Sequence, residues 1–164
     1  MIVRETDWDD PSAVSLRAAQ RAEIEERYGT PDSEPGPAPT ADDITVFFVA
    51  FADDGTALGC GGLRQLDDTE AEIKRMFVLP AHRGRGVSTA ILSALENYGR
   101  QRAWHRLVLE TGDRQPDAVR FYQREGYTHI PNFGHYAGSL NSLCFEKPLT
   151  PQDPMDELGC EGCE

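Results

Sequence analysis

Long apolar runs, positive charge and cysteine are what this 164-residue chain has least of. No stretch approaches the roughly 18 consecutive apolar residues of a membrane span, and the start shows no secretory-leader pattern. No membrane partner and a cytoplasmic location are therefore expected. Sixteen Lys and Arg against 28 Asp and Glu leave a formal charge of −12, so there is no general basic face for nucleic acid. That acidity serves solubility, and it also suits attraction of a cationic substrate such as an amine. Of four cysteines, Cys60 and Cys144 sit in apolar stretches and read as small core residues. Cys160 and Cys163 form a lone C-x-x-C near the end; without a second ligand pair it makes no zinc site, and no metal is expected. The G-x-x-x-x-G-K-[ST] and G-x-G-x-x-G patterns are missing too, which disfavours nucleotide hydrolysis and dinucleotide binding.

Against this background one stretch stands out, EIKRMFVLPAHRGRGVSTA, from Glu72 to Ala90. Met76 to Leu79 form an apolar strand end and Pro80 stops it. Arg83-Gly84-Arg85-Gly86 makes a tight turn, and Val87, Ile91, Leu92, Leu95 and Tyr98 recur behind it at helical spacing. Between Ile73 and Leu95 lie four basic residues and no acidic one. A glycine turn that opens a helix presents free N–H groups and the positive end of the helix dipole to an anion. Ser88 and Thr89 add hydroxyl donors. Taken alone, the turn reads as a phosphate cradle, with a solvated basic loop as the alternative.

The rest of the chain supplies a frame for it. Ile2 to Glu5 is a strand. Asp10-Pro11 caps a helix that runs to Tyr28 and closes at Gly29. Residues 30–43, with Pro31, Pro35, Pro37 and Pro39, form a loop or lid. Ile44–Phe51, Leu58–Leu66 and a strand beginning near Ala71 make an antiparallel meander joined by short turns. After the basic turn come a helix to about Arg102, a strand over Leu107–Glu110, and a helix from Pro116 that Gly126 closes. Two final strands cover Tyr127–Ile130 and Leu143–Phe145. The order β, α, three β, α, β, α, two β makes an α/β (α+β) fold with a central mixed sheet. Residues 1–148 are expected to form one domain and residues 149–164 a polar tail. Exposed terminal strands leave a homodimer open.

Arg83-x-x-Gly86-x-Ser88, directly after Val78-Leu79-Pro80, resembles the acetyl-CoA signature of the GNAT superfamily of N-acyltransferases. Ala118-Val119-Arg120-Phe121-Tyr122-Gln123-Arg124-Glu125-Gly126-Tyr127 is similar to the family's other hallmark, A-x-x-[FL]-Y-x-x-x-G-[FY]. The resemblance spans about residues 1–148, and two motifs in this order are far more specific than either alone. It implies a mostly antiparallel sheet flanked by helices and splayed near the acetyl-CoA site, with acetyl-CoA as cosubstrate and an amine, small-molecule or peptide, as acceptor. It places the pantetheine arm along the strand at Phe77 and Val78, often at a bulge. It puts the pyrophosphate on Arg83, Gly84, Arg85, Gly86, Val87, Ser88 and Thr89, and a cofactor contact on Gln115, where the family often has Asn. Ser88 departs from the usual Gly or Ala at its position.

N-acetyl transfer poses two proton problems. An amine near pKa 10 must shed a proton to attack, and the leaving thiolate benefits from a donor. The resemblance puts Tyr122 beside the sulfur as that donor; a packing tyrosine on the helix's apolar stripe is the alternative. It also makes Glu72, 11 positions before Arg83, the base. Strand alternation puts Glu72, Lys74, Met76 and Val78 on one face, subject to a bulge. Glu72 could instead pair with Lys74 or Arg75, and His135 is a rival base. Cys60 has no base partner nearby, so direct attack in a ternary complex is expected over a covalent thiol route. Glu25, Glu26, the segment 30–43 and the loop Asn132–Ser139 are expected to line the acceptor side and to favour a cationic amine. A non-catalytic acyl-CoA-binding or sensing module is the other reading.

Overall fold

The computed structural model describes residues 1–30 and 34–150. The Cys160–Cys163 pair and most of the expected tail therefore lie outside the described residues. Seven strands form one sheet in the order β1-β2-β3-β4-β5-β7-β6. They are β1 (Ile2–Thr6), β2 (Val46–Phe51), β3 (Ala57–Gln65), β4 (Glu70–Val78), β5 (Arg106–Gly112), β6 (Thr128–Ile130) and β7 (Ser142–Pro148). Only β4 and β5 pair in parallel; the other neighbours are antiparallel. The predicted meander is β2-β3-β4, and β7 slots between β5 and β6.

Three helices flank the sheet: α1 (Pro11–Tyr28), α2 (Val87–Gln101) and α3 (Pro116–Arg124). Asp10 caps α1 by accepting from the Ser12 N–H at 2.9 Å, and Gly29 closes it in the left-handed region, as the sequence predicts. Its weak apolar stripe is explained by its packing: only Ala13 and Leu16 are fully buried, against Phe47, Val49, Cys60 and Phe77 on one face of the sheet. The larger core lies on the other face, where Val87, Ile91, Leu92 and Leu95 of α2 meet Leu63, Ile73, Leu107 and Leu109. Leu149 joins that core at 5% exposure and its N–H bonds to the His105 carbonyl, so the folded unit runs one residue past the expected boundary. Among the described residues no helix is long and apolar enough to cross a membrane.

Candidate active site

The parallel pairing of β4 and β5 stops after Glu70↔Arg106, Ala71↔Leu107 and Glu72↔Val108, although β4 continues to Val78 and β5 to Gly112. The two strands part beyond that point, and a cleft of about 390 Å³ opens between them, walled by α1 and α3. This is the expected splay.

Its cause is a bulge. From Cys60↔Phe77 to Gly62↔Lys74 the register advances two residues on β3 and three on β4, and Arg75 adopts φ 60°. Gly61 lies opposite, where a Cβ would come 2.5 Å from the Met76 sulfur, so glycine leaves room for the Met76 side chain beside the bulge. The bulge also reverses side-chain parity. Glu72 and Lys74 do not share a face with Met76 and Val78: the latter two pack with Ile73 on the α2 side, and Phe77 turns to the α1 side. Strict alternation over 72–78 is thus corrected. It also brings the neighbours Lys74 and Arg75 onto the same cleft wall, which a regular strand forbids.

Leu79 donates its N–H to the Leu58 carbonyl, so Val78, one residue earlier, turns its polar groups to the opposite, unpaired edge. There its carbonyl accepts Arg83 Nε at 2.9 Å, and the Met76 carbonyl accepts Gln20 Nε2 at 3.1 Å. Phe77, paired with Cys60, faces β3 instead.

Where this edge ends, a smaller hollow of about 90 Å³ lies against the start of α2. Gly84 and Gly86 hold φ 77° and 80°, a conformation that L side chains rarely adopt, and so fold the chain tightly into the helix. The first N–H groups of α2 have no carbonyl a turn earlier. Arg83, Gly84, Gly86, Val87, Ser88 and Thr89 all line the hollow, with His82 and Arg124; Arg85 is exposed and does not. Arg83 grips Glu23 of α1 with two bonds, and Thr89 Oγ1 donates to Glu125 Oε1 at 3.0 Å.

On the far wall of the cleft, Gln115, Ala118 and Tyr122 fall on one side of α3. Tyr122 is buried at 6% exposure, tilted against Phe121 and edge-on to Tyr127, and burial holds its phenol protonated well above the ordinary tyrosine range. Gln115 N-caps α3 without a side-chain cap bond, leaving its amide to the cleft.

Glu72 does not reach the cleft. It is 2% exposed, and its carboxylate accepts Arg64 Nη2 at 2.9 Å and the Tyr136 hydroxyl at 2.6 Å, with Lys74 Nζ at 3.5 Å. The expected pairing with Lys74 is present, and Tyr136 screens Glu72 from solvent. The rival base His135 is exposed, with its ring against Gly36, and is not in the cleft wall either.

Two residues missed in the sequence do line it, Glu110 and Lys74, together with Glu34, Gly36 and Ala38 of the segment expected on the acceptor side. Burial raises the Glu110 carboxyl above its ordinary value, while Ser142 Oγ, donating at 2.7 Å, and Lys74 act the other way. Burial, with Arg75 beside it, lowers the Lys74 ammonium to about 7, and Glu110 opposes this. An acid closing the buried strand Leu107–Glu110 was the one local signal available. The acceptor side is also corrected: Glu25 and Glu26 are exposed and outside the cleft, and Asn141 and Ser142, just past the expected loop, line it. Cys60 and Cys144 are buried, free thiols absent from the wall, and burial raises Cys60 to about 12.

The sequence model of the Acetyltransferase (GNAT) family matches residues 4–127. The IAA acetyltransferase of Azospirillum brasilense is 36% identical over 105 residues, 62% of this chain and 67% of that protein. A Klebsiella pneumoniae protein assigned as an acyl-CoA N-acyltransferase superposes with a TM-score of 0.78 at 31% identity, over 91% of this chain and 97% of that one. A GNAT family acetyltransferase from Elizabethkingia anophelis, solved with acetyl-CoA bound, shares the fold with a TM-score of 0.66 at 15% identity, over 90% and 97% of the two chains. The split sheet, the glycine turn at the start of α2 and these likenesses lead to one assignment: the chain belongs to the GNAT family of acetyltransferases.

Proposed function

We propose that the protein transfers the acetyl group of acetyl-CoA to an amine by direct attack within a ternary complex. The observation that carries this reading is the parting of β4 from β5 beside the hollow at the start of α2. Together they offer an unpaired strand edge, an anion-binding turn and a cleft in which the reaction can take place. The residues present fit the cosubstrate: the Val78 edge suits an amide-bearing arm, and Gly84, Gly86, Val87, Ser88 and Thr89, with Arg83, suit a pyrophosphate. Phe77 shapes that strand from behind, Arg85 adds charge at the rim, and Gln115 offers an amide from α3. Acetyl-CoA supplies an activated acetyl thioester.

The protein's own groups then move two protons. Glu110 takes one from the incoming ammonium, and Tyr122 gives one to the departing sulfur. A carboxyl with a raised pKa is better matched to an amine than an ordinary one, and a phenol held protonated still carries its proton when the thiolate forms. Glu72, enclosed by Arg64 and Tyr136, takes a positioning role behind Lys74. The buried thiols of Cys60 and Cys144 leave the amine as the attacking group among the described residues.

The experiment is a thiol-release assay with acetyl-CoA against amino acids, polyamines, aminoglycosides and peptide N-termini. Turnover with one acceptor class, with initial rates that fit a sequential rate law, is expected. Tight acetyl-CoA binding with no transfer to any of them would establish a sensing module instead.

A further inference from the structure

The acceptor wall of the cleft is not acidic, although the chain is. Its charged side chains are Arg21, Lys74 and Arg75 against Glu34 and Glu110. Glu34 reaches in from the irregular segment 34–39 and uses both oxygens. Oε2 accepts Arg75 Nη1 at 2.6 Å, while Oε1 accepts Lys74 Nζ and lies 2.9 Å from the Tyr136 hydroxyl. Lys74 also donates to Tyr136 at 3.0 Å. The Tyr136 proton goes to Glu72 at 2.6 Å, which leaves two cations arranged around the Glu34 carboxylate, as in a binding site for an acid group.

Burial separates Lys74 from Glu34. Lys74 is 4% exposed and fixed on the sheet, whereas Arg75, at 23%, is as open as Glu34 but tethered at the bulge. Glu34 is 25% exposed on a segment with no helix or strand, so its carboxylate can leave for water while the buried ammonium stays. Without it, Lys74 keeps Glu72 behind it at 3.5 Å and Glu110 on the cleft wall, while Arg75 loses the carboxylate it is bonded to. A guanidinium left in that state at the cleft wall calls for an anion.

From this we infer that Lys74 and Arg75 form a subsite for an acid group on the acceptor, with Tyr136 bracing Lys74 from behind, and that Glu34 fills it as an internal stand-in. The substrate class is then an amine that carries a carboxylate, an amino acid first of all, its amine directed across the cleft to Glu110. This deepens the proposed acetyl transfer and rests on it.

The test compares amino acids with their own carboxamides, which keep the amine and lose the charge. Wild-type protein is expected to give kcat/KM at least tenfold higher for the acids. Glu34→Gln raises that acid-to-amide ratio, by removing the competitor; Arg75→Gln lowers it tenfold or more, and Arg75→Lys restores part of it. Equal kcat/KM for acids and amides, or a ratio that Glu34→Gln and Arg75→Gln leave unchanged, would overturn the subsite. Binding of N-acetyl amino acids against N-acetyl amino amides, followed by calorimetry, needs no turnover and separates the two readings. If no amine is acetylated but the N-acetyl acids bind tenfold tighter than the amides, and Arg75→Gln erases the difference, the subsite stands and the catalytic reading falls. If neither distinguishes acid from amide, the subsite falls whatever the turnover. An amino phosphonate arm tells a carboxylate-shaped site from a general anion site: it is expected to be weaker than the matching amino acid, and a phosphonate preference would overturn the amino-acid assignment.

Discussion

Arg83 holds Glu23 of α1 with both terminal nitrogens, Nη1 to Oε1 at 2.9 Å and Nη2 to Oε2 at 2.7 Å. The residue expected to meet a pyrophosphate is therefore already paired with a carboxylate. Two anions must share one guanidinium, or one must yield. Arg83 is 40% exposed, and such pairs contribute at most about 1 kcal/mol. Glu23→Gln should thus tighten acetyl-CoA binding by up to ~5-fold, with a stability loss under about 1 kcal/mol. Calorimetric titration at two salt concentrations checks it, since the gain should shrink as salt rises. Unchanged affinity would mean that the backbone turn carries the anion without Arg83.

Tyr122 offers a sharper test. Its ring packs with Phe121 and Tyr127, so Tyr122→Phe keeps the core and removes only the hydroxyl. Loss of a positioned proton donor lowers kcat on the order of 100-fold. The measurement is turnover with the amine saturating, across pH, alongside a melting curve. Full kcat at every pH would reduce Tyr122 to a packing residue.

These residues were legible because their signals are local. A glycine turn needing positive φ, an apolar helix behind it and the A-x-x-F-Y stretch can each be read within a few residues. The bulge could not be read this way. The residues 72–78 are apolar enough for a plain strand, and the extra residue at Arg75 depends on a partner across the ladder, where Gly61 faces Met76. The acceptor wall was further out of reach. Glu34 meets Lys74 across 40 positions and Tyr136 across 102, pairings that only the closed sheet creates. Net charge misled for the same reason: most acids face water, while Lys74 and Arg75 sit where β4 bends into the cleft.

Glu110 makes a prediction about pH in two directions. Its folded-state pKa is raised by burial above 4.5, and a base works only when deprotonated. Acetylation should therefore rise with pH through an acidic limb set above the ordinary glutamate range. Glu110→Gln should remove that limb and slow turnover on the order of 100-fold. Stability runs the other way: a raised pKa contributes stability present below the unfolded value and lost as pH rises through the folded one. The amide escapes that loss, so the variant should melt no lower than wild type at pH 7 and lower relative to it at pH 4. A pH–rate profile with paired melting curves reads both effects.

Glu72 separates positioning from catalysis. Its carboxylate is enclosed at 2% exposure between Arg64, Lys74 and Tyr136, so removing its charge strands cations that have little water to turn to. Breaking one partner of a buried charge cluster costs about 3 kcal/mol. For a domain of this size that corresponds to a fall in melting temperature of roughly 6 to 12 °C. Glu72→Gln should show this loss and a weaker hold on acceptor, through a Lys74 no longer fixed from behind. It should still keep the acidic limb that belongs to Glu110. If that limb vanished in Glu72→Gln and survived in Glu110→Gln, the base would be Glu72 after all, and Tyr136 would have to swing aside to expose it.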